Sequence, residues 1–157
     1  MKATSIIIAT PHHRNDVTET IVRQRLPEIE VVRARSPDEL ASHSARPEVD
    51  WIFFPHWSWR IPPETFEAMR CVVFHMTDLP YGRGGSPLQN LILRGHKHTK
   101  LSAIQCISEI DAGPIYLKRE LSLEGTAENI LTRAATEIAD MIIEIVRTNP
   151  TPKEQTG

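Results

Sequence analysis

The chain has 157 residues, 40% of them hydrophobic and 24% charged, with a formal net charge of −2 and a sequence pI of about 6.4. This length fits one domain around one core, and the hydrophobic share excludes a largely disordered chain. The near-neutral balance excludes a general electrostatic affinity for nucleic acid or anionic membrane, so any basic site must be local. The two cysteines, Cys71 and Cys106, lie in apolar runs without metal-type spacing. They read as reduced core residues of a cytoplasmic protein rather than a disulfide or catalytic thiols. No apolar run approaches the length of a membrane span. Residues 1–10 read as a first strand, because a signal peptide needs a longer apolar region and a cleavage site.

Residues 5–10 form a continuous apolar run, the pattern of a central parallel strand buried on both faces. Pro11-His12-His13-Arg14-Asn15 breaks it, and Asn15 or Asp16 caps a helix through Leu26 with Val17, Ile21 and Val22 inward. Residues 30–34 are a second strand. Ser36 and Pro37 open a second helix, which fades near Arg46-Pro47. Residues 49–54 are a third strand, followed by an aromatic, proline-bounded loop over 55–63, a short helix over 63–69 and a fourth strand over 70–74. Such alternation predicts right-handed βαβ units and a mostly parallel sheet, with ligands beyond the C-terminal ends of the strands. The pattern then changes. A helix over 86–94 closes at Gly95. Strands over 100–107 and 114–121 flank so short a turn that they must be antiparallel. Thr126 caps a long amphipathic helix to about Arg147, and residues 151–157 read as a frayed polar tail.

His75 ends the fourth strand, where an imidazole can take or give a proton at neutral pH. The alternative is a satisfied strand-end histidine. Asp111 lies ahead of Gly113-Pro114 in the turn of the antiparallel pair, which is also plain turn chemistry. If that turn reaches the edge that holds His75, the carboxylate can hold one imidazole tautomer and stabilise its cation. Arg83-Gly84-Gly85-Ser86 precedes a helix and suits an anion, or is an ordinary glycine-rich connection. The loop after the first strand carries His12, His13 and Arg14, where a phosphate sits in many such folds. Adjacent histidines there point apart, and His96-Lys97-His98 reads as a solvated turn, so no metal is expected. Trp57 and Trp59 offer a flat apolar wall for a ring, or plug the sheet edge.

The stretch Phe74-His75-Met76-Thr77-Asp78-Leu79-Pro80-Tyr81-Gly82-Arg83-Gly84-Gly85 resembles the His-x-Ser-Leu-Leu-Pro-x-x-x-Gly signature of the 10-formyltetrahydrofolate-dependent formyltransferases. Ser108-Glu109-Ile110-Asp111-Ala112-Gly113-Pro114-Ile115 is similar to that family's Leu-Asp-Thr-Gly-Pro-Ile motif. The two occur in the family's order and at a suitable separation, and the resemblance covers roughly residues 5–147. It implies a three-layer Rossmann-like α/β fold. The sheet would be mostly parallel, with an antiparallel C-terminal strand pair and a long C-terminal helix. Residues 1–149 would form a single catalytic domain, and 150–157 a polar tail that begins a shortened C-terminal extension.

The resemblance also implies an activity. An amine would attack the formyl carbon of N10-formyltetrahydrofolate, the co-substrate, without a metal. His75 would match the catalytic histidine and Asp111 the aspartate that orients it. The family's asparagine two positions before the histidine is Val73 here, which removes an amide donor at the developing oxyanion. Asn90, Gln89 and Thr77 are nearby in sequence. Trp57, Ser58, Trp59 and Ile61, with Ile107, Glu109 and Ile110, would form the folate pocket. Thr10, His12 and Arg14, with Arg83, Gly84, Gly85 and Ser86, would face the acceptor. The wording from Arg83 to Ile92 most resembles the amino-sugar group of the family. The expected acceptor is therefore a nucleotide-linked 4-amino-4,6-dideoxy sugar, with methionyl-tRNA or glycinamide ribonucleotide as alternatives. The expected partners are small molecules and a second copy in a homodimer, with neither membrane nor nucleic acid. Val73 and the short C-terminus also fit a folate- or nucleotide-sugar-binding relative that has lost catalysis. A third reading is a small α/β enzyme that uses His75 and Arg83 without folate.

Overall fold

The computed structural model describes residues 5–156. The first four residues of the stretch read above as a strand lie outside the described residues, as does Gly157. β1 (Ser5–Ala9) is buried along its whole length, as a central parallel strand requires. It lies between β2 (Glu30–Ala34) and β3 (Val49–Phe54), and β4 (Arg70–His75) pairs with β3; these four strands are parallel. β5 (His98–Gln105) and β6 (Ile115–Ser122) extend the sheet antiparallel, giving the order β2-β1-β3-β4-β5-β6. This is the mostly parallel α/β sheet with an antiparallel C-terminal pair that the pattern predicts.

Two layers cover the sheet unequally. On one face α1 (Asp16–Arg25), α4 (Pro87–Leu93) and α5 (Ala127–Thr148) bury Ile6, Ile8, Trp51, Phe53, Val72 and Phe74 in one core. On the other face α2 (Pro37–Ser44) and α3 (Pro63–Ala68) cover Ile7, Ile52, Phe54 and Cys71. α5 is 22 residues long, whereas α2 and α3 have eight and six. The second layer is therefore the thinner one, and it leaves part of its face open. Side chains alternate along a strand. Val73 accordingly packs with the α2–α3 side, and His75, two residues on, points the same way.

Local signals hold the ends of α2, α4 and α5 as expected, whereas Asn15 at the start of α1 makes no side-chain capping bond and spends its amide on Thr10 and Thr18. The Ser36 hydroxyl accepts the Glu39 amide, with Pro37 opening α2. Thr126 and Asn129 form a reciprocal capping box on α5. α4 closes with Gly95 N–H on the Ile92 carbonyl and His96 N–H on that of Leu91, the paired bonds of a Schellman turn.

Three expectations are corrected. Thr18, not Val17, faces inward from α1. Helical spacing aligns Thr18, Val22 and Leu26, and the Thr18 hydroxyl donates to the Ala135 carbonyl of α5 at 2.8 Å, while Val17 is exposed. β5 ends at Gln105 rather than residue 107. From Cys106 the chain leaves the sheet, held by Cys106 N–H on the Cys71 carbonyl and Gln105 N–H on that of Pro114. The tail is not frayed. Lys153 bridges to Ile115 through two backbone hydrogen bonds, and Gln155 is bonded through its side chain. Among the described residues no helix is long and apolar enough to cross a membrane.

Candidate active site

The segment between β5 and β6 (residues 106–114) does not form a tight hairpin. It folds back over the open sheet face and delivers Asp111 to His75, with Asp111 Oδ1 3.5 Å from His75 Nδ1. Gly113 makes this path sterically allowed. A Cβ there would lie 1.8 Å from the Gln105 carbonyl oxygen, so a side chain at this step of Asp-x-Gly-Pro displaces backbone. Asp111 itself has φ 58°, the left-handed region, where a residue with a Cβ needs outside support.

The second side of the site is the loop after β4. His75 Nε2 is 2.7 Å from the Gly82 carbonyl oxygen. A carbonyl can only accept, so Nε2 carries the proton and Nδ1 is the nitrogen turned to Asp111. The Gly84 amide donates to Asp111 Oδ2 at 2.8 Å. One carboxylate thus joins the imidazole to the loop. Gly82 has φ 73°, and a Cβ there would meet the Thr77 side chain at 2.6 Å. His75 and Asp111 side chains keep 9% and 14% of their exposure, so the pair is nearly withdrawn from water while an opening to solvent remains.

Beside the pair lies a cavity of about 600 Å³. Trp57, Trp59 and Ile61 line it together with Ile107, Glu109, Ile110 and Asp111, and the strand residues Val73 and Phe54 form the floor. Trp57 and Trp59 meet edge to face with centroids 4.9 Å apart. Ser58 is exposed and does not line the cavity. Asn90 borders a smaller cleft with Thr77, Gly82 and Arg83. The Thr77 hydroxyl is turned to the Gly82 carbonyl, and neither Thr77, Gln89 nor Asn90 reaches the large cavity.

The residues expected at the acceptor side divide. Arg83 and Gly84 sit in the loop tied to Asp111; Gly85 and Ser86 follow, exposed, with Ser86 left-handed at φ 55°. Thr10 is fully buried, and its hydroxyl donates to Asn15 within an internal chain of hydrogen bonds. His12 and Arg14 lie beside His56, whose imidazole also feels His75. His13 points to solvent. Among the described residues no group of three or more His, Cys, Asp or Glu is arranged to hold a metal.

His56 was not singled out by sequence reasoning, although it follows a buried strand end just as His75 does. It has φ 57°, and both ring nitrogens are buried without hydrogen-bond partners. Burial, assisted by the Arg14 cation, lowers its pKa to about 4, so this imidazole is neutral near neutral pH. His12 is lowered in the same direction by burial and then by Arg14. Burial raises the Cys71 thiol to about 12 and the Cys106 thiol, on the cavity wall, to about 11. Neither is a thiolate at neutral pH, as expected of core cysteines.

The fold that carries this site is shared with solved structures. No family model matches the chain. The structure of a methionyl-tRNA formyltransferase from Clostridium thermocellum superimposes with a TM-score of 0.92 at 47% identity, covering 98% of this chain and 69% of that one. The chain belongs to the formyltransferase family. The methionyl-tRNA formyltransferase of Lactobacillus johnsonii is 26% identical over 136 residues, 84% of this chain and 43% of its own, so the chain spans less than half of that relative. Two more distant structures share the fold. HypX from Aquifex aeolicus, in complex with tetrahydrofolic acid, has a TM-score of 0.73 at 18% identity, over 99% of this chain and 29% of that one. The formyltransferase PseJ from Anoxybacillus kamchatkensis, in complex with UDP-4,6-dideoxy-4-formamido-L-AltNAc and tetrahydrofolate, has 0.68 at 18%, over 98% and 83%.

Proposed function

We propose that this chain is a catalytic domain that transfers the formyl group of N10-formyltetrahydrofolate to a primary amine. The observation that carries the reading is the His75–Asp111 pair at one end of an aromatic-walled cavity. At about 600 Å³ the cavity is within the range of small-molecule sites, roughly 300–1,000 Å³. Its walls suit a flat heterocycle, which fits the tetrahydrofolate held by the two distant structural neighbours.

When bound, the co-substrate supplies the reactive formyl carbon. Trp57, Trp59 and Ile61 pack the ring and exclude water, while the backbone of residues 107–110 is available to its polar edge. The proton on His75 Nε2, now resting on the Gly82 carbonyl, serves the oxygen or nitrogen on which charge develops. Asp111, facing Nδ1, holds that nitrogen protonated and stabilises the imidazolium; Nε2, once it has given up its proton, is the nitrogen that takes one from the attacking amine. Val73 offers no hydrogen bond at the cavity floor, so more of the oxyanion stabilisation falls to His75.

For the acceptor we infer an amine on a nucleotide-linked amino sugar of the 4-amino-4,6-dideoxy type. Arg14 and the Nη1 side of Arg83, whose Nε and Nη2 are bonded to Gln155, are the cations available to its phosphates, and PseJ was captured with a nucleotide-linked formamido sugar. A methionyl-tRNA acceptor is the second reading, favoured by the 47% identical relative. The test is formyl transfer from N10-formyltetrahydrofolate to both acceptors, read by mass spectrometry of the products. A formylated sugar amine supports the first reading, and formylated methionyl-tRNA moves the assignment to the second. Tetrahydrofolate binding without transfer to any amine supports the binding relative, and absence of folate binding overturns the proposal.

A further inference from the structure

Residues 151–156 are bound to the structure at a specific place. Lys153 exchanges backbone hydrogen bonds of 2.6 and 2.9 Å with Ile115, just beyond the Asp111 turn. Two residues on, the Gln155 side chain reaches the turn itself. Its amide nitrogen donates to the Asp111 carbonyl at 2.8 Å and to the Gly113 carbonyl at 2.9 Å. Its amide oxygen accepts from Arg83 Nη2 at 2.8 Å and Nε at 3.2 Å. The assignment of the two amide atoms is unambiguous. Both carbonyls need a donor and the guanidinium needs an acceptor, and one orientation alone serves all three.

These bonds close a ring. His75 is bonded to Gly82, Gly84 to the Asp111 carboxylate, Arg83 to Gln155, and Gln155 to the Asp111 backbone. The ring contains a residue in an unfavourable backbone conformation, Asp111 at φ 58°, at the point where its carboxylate must meet the imidazole. Without Gln155 the turn keeps Gly84 N–H as its side-chain anchor, and its two carbonyls lose their shared donor. We propose that Gln155 is a positioning residue of the active site. It clamps the Asp111 turn to the Arg83–Gly84 loop and thereby sets the separation of Asp111 from His75. The tail is then a working part of the site, although it lies some forty residues beyond Asp111 in sequence.

The catalytic consequence rests on the formyl-transfer reading, and the clamp itself does not. Two readouts separate them. Gln155→Met keeps the length of the side chain and removes both halves of the amide. Gln155→Glu keeps an acceptor for Arg83 and places an oxygen against the two carbonyls. Glu154→Ala, at an exposed neighbouring position, is the control. In formyl transfer both Gln155 variants should lose about 10- to 100-fold in kcat, as expected for a sub-ångström to ångström misplacement of a catalytic group. Tetrahydrofolate affinity, read by quenching of Trp57 and Trp59 fluorescence, should change less than about threefold. Glu154→Ala should stay within about twofold in both. Independently of activity, hydrogen exchange at the Gly84 amide should quicken at least about tenfold in Gln155→Met, with core amides of β1 unchanged. Unchanged Gly84 exchange overturns the clamp. Quickened exchange with an unchanged kcat overturns the positioning role. An inactive wild-type protein with quickened Gly84 exchange leaves the clamp standing and counts against the formyl-transfer reading.

Discussion

The two polar corners that meet at this sheet edge are built in opposite ways. At the end of β4, each side chain of the His75–Asp111 corner faces a protein partner: the imidazole faces Gly82 and Asp111, and the carboxylate accepts Gly84. At the ends of β1 and β3, His56 leaves both ring nitrogens unpartnered, and so does Arg14 at Nε, among the described residues. The first corner is held in place by the fold and needs little reorganisation to act. The second accepts the cost of burying polar atoms and suppresses its own charge, with His56 neutral beside the Arg14 cation. Under the proposed function the first corner would handle the proton and the second would shape the neighbouring space.

The largest effect that would break this contrast is at Asp111. Asp111→Asn keeps an oxygen for the Gly84 amide and removes the charge beside His75. It should lower kcat of formyl transfer by about 10²- to 10⁴-fold while circular dichroism stays native. A loss below about threefold would show that Asp111 serves the fold alone.

Gly113→Ala should be the most damaging to stability, by about 2–4 kcal/mol in denaturant unfolding, because the new Cβ meets backbone rather than a flexible side chain. An unchanged midpoint would contradict the path described for residues 106–114.

His56 sharpens the other side. Its pKa is about 4 in the folded chain against about 6.5 when unfolded. Between these values the unfolded chain binds the extra proton, so this contribution is full above pH 6.5 and is lost as pH falls towards 4. It amounts to roughly 3 kcal/mol. His56→Asn, which tolerates the left-handed backbone, should flatten this acid branch when unfolding is followed from pH 7.5 to 4.5. An equally steep branch in the variant would place the proton-linked group elsewhere.

Val73→Asn adds an amide at the cavity floor and should raise kcat about tenfold, since the half-buried position leaves the amide access to the cavity. A fall in rate with native stability would show that the floor must stay apolar. The smallest effect is on thiol chemistry. Cys71 and Cys106 should react with iodoacetamide at pH 7.5 far more slowly in the folded chain than in the denatured one.

Much of this was legible in the residues because the signals are local. The apolar run of β1, the Ser36-Pro37 and Thr126 caps, Gly95 and the change of period after it are read within a few positions. His75 was legible as a polar residue ending a buried strand. By the same logic His56, two residues past the buried end of β3, was equally legible. What the residues did not disclose is tertiary. Nothing within residues 106–114 says that they curl over the sheet face rather than form a tight hairpin. Gln155 lies in a polar segment with no periodicity, and its role exists only where Arg83, Asp111 and Gly113 converge. Thr18 replaced Val17 inside α1 because a helix-to-helix carbonyl was waiting for its hydroxyl.

In the proposed reaction His75, held by Asp111, moves the proton in formyl transfer to an amine. The direct measurement is single-turnover formyl transfer from N10-formyltetrahydrofolate by the wild-type chain and by His75→Asn, with tetrahydrofolate affinity measured on both. The expected result is a loss of at least about 100-fold in the transfer rate with affinity kept within about threefold. Transfer at a near-normal rate by His75→Asn would contradict it.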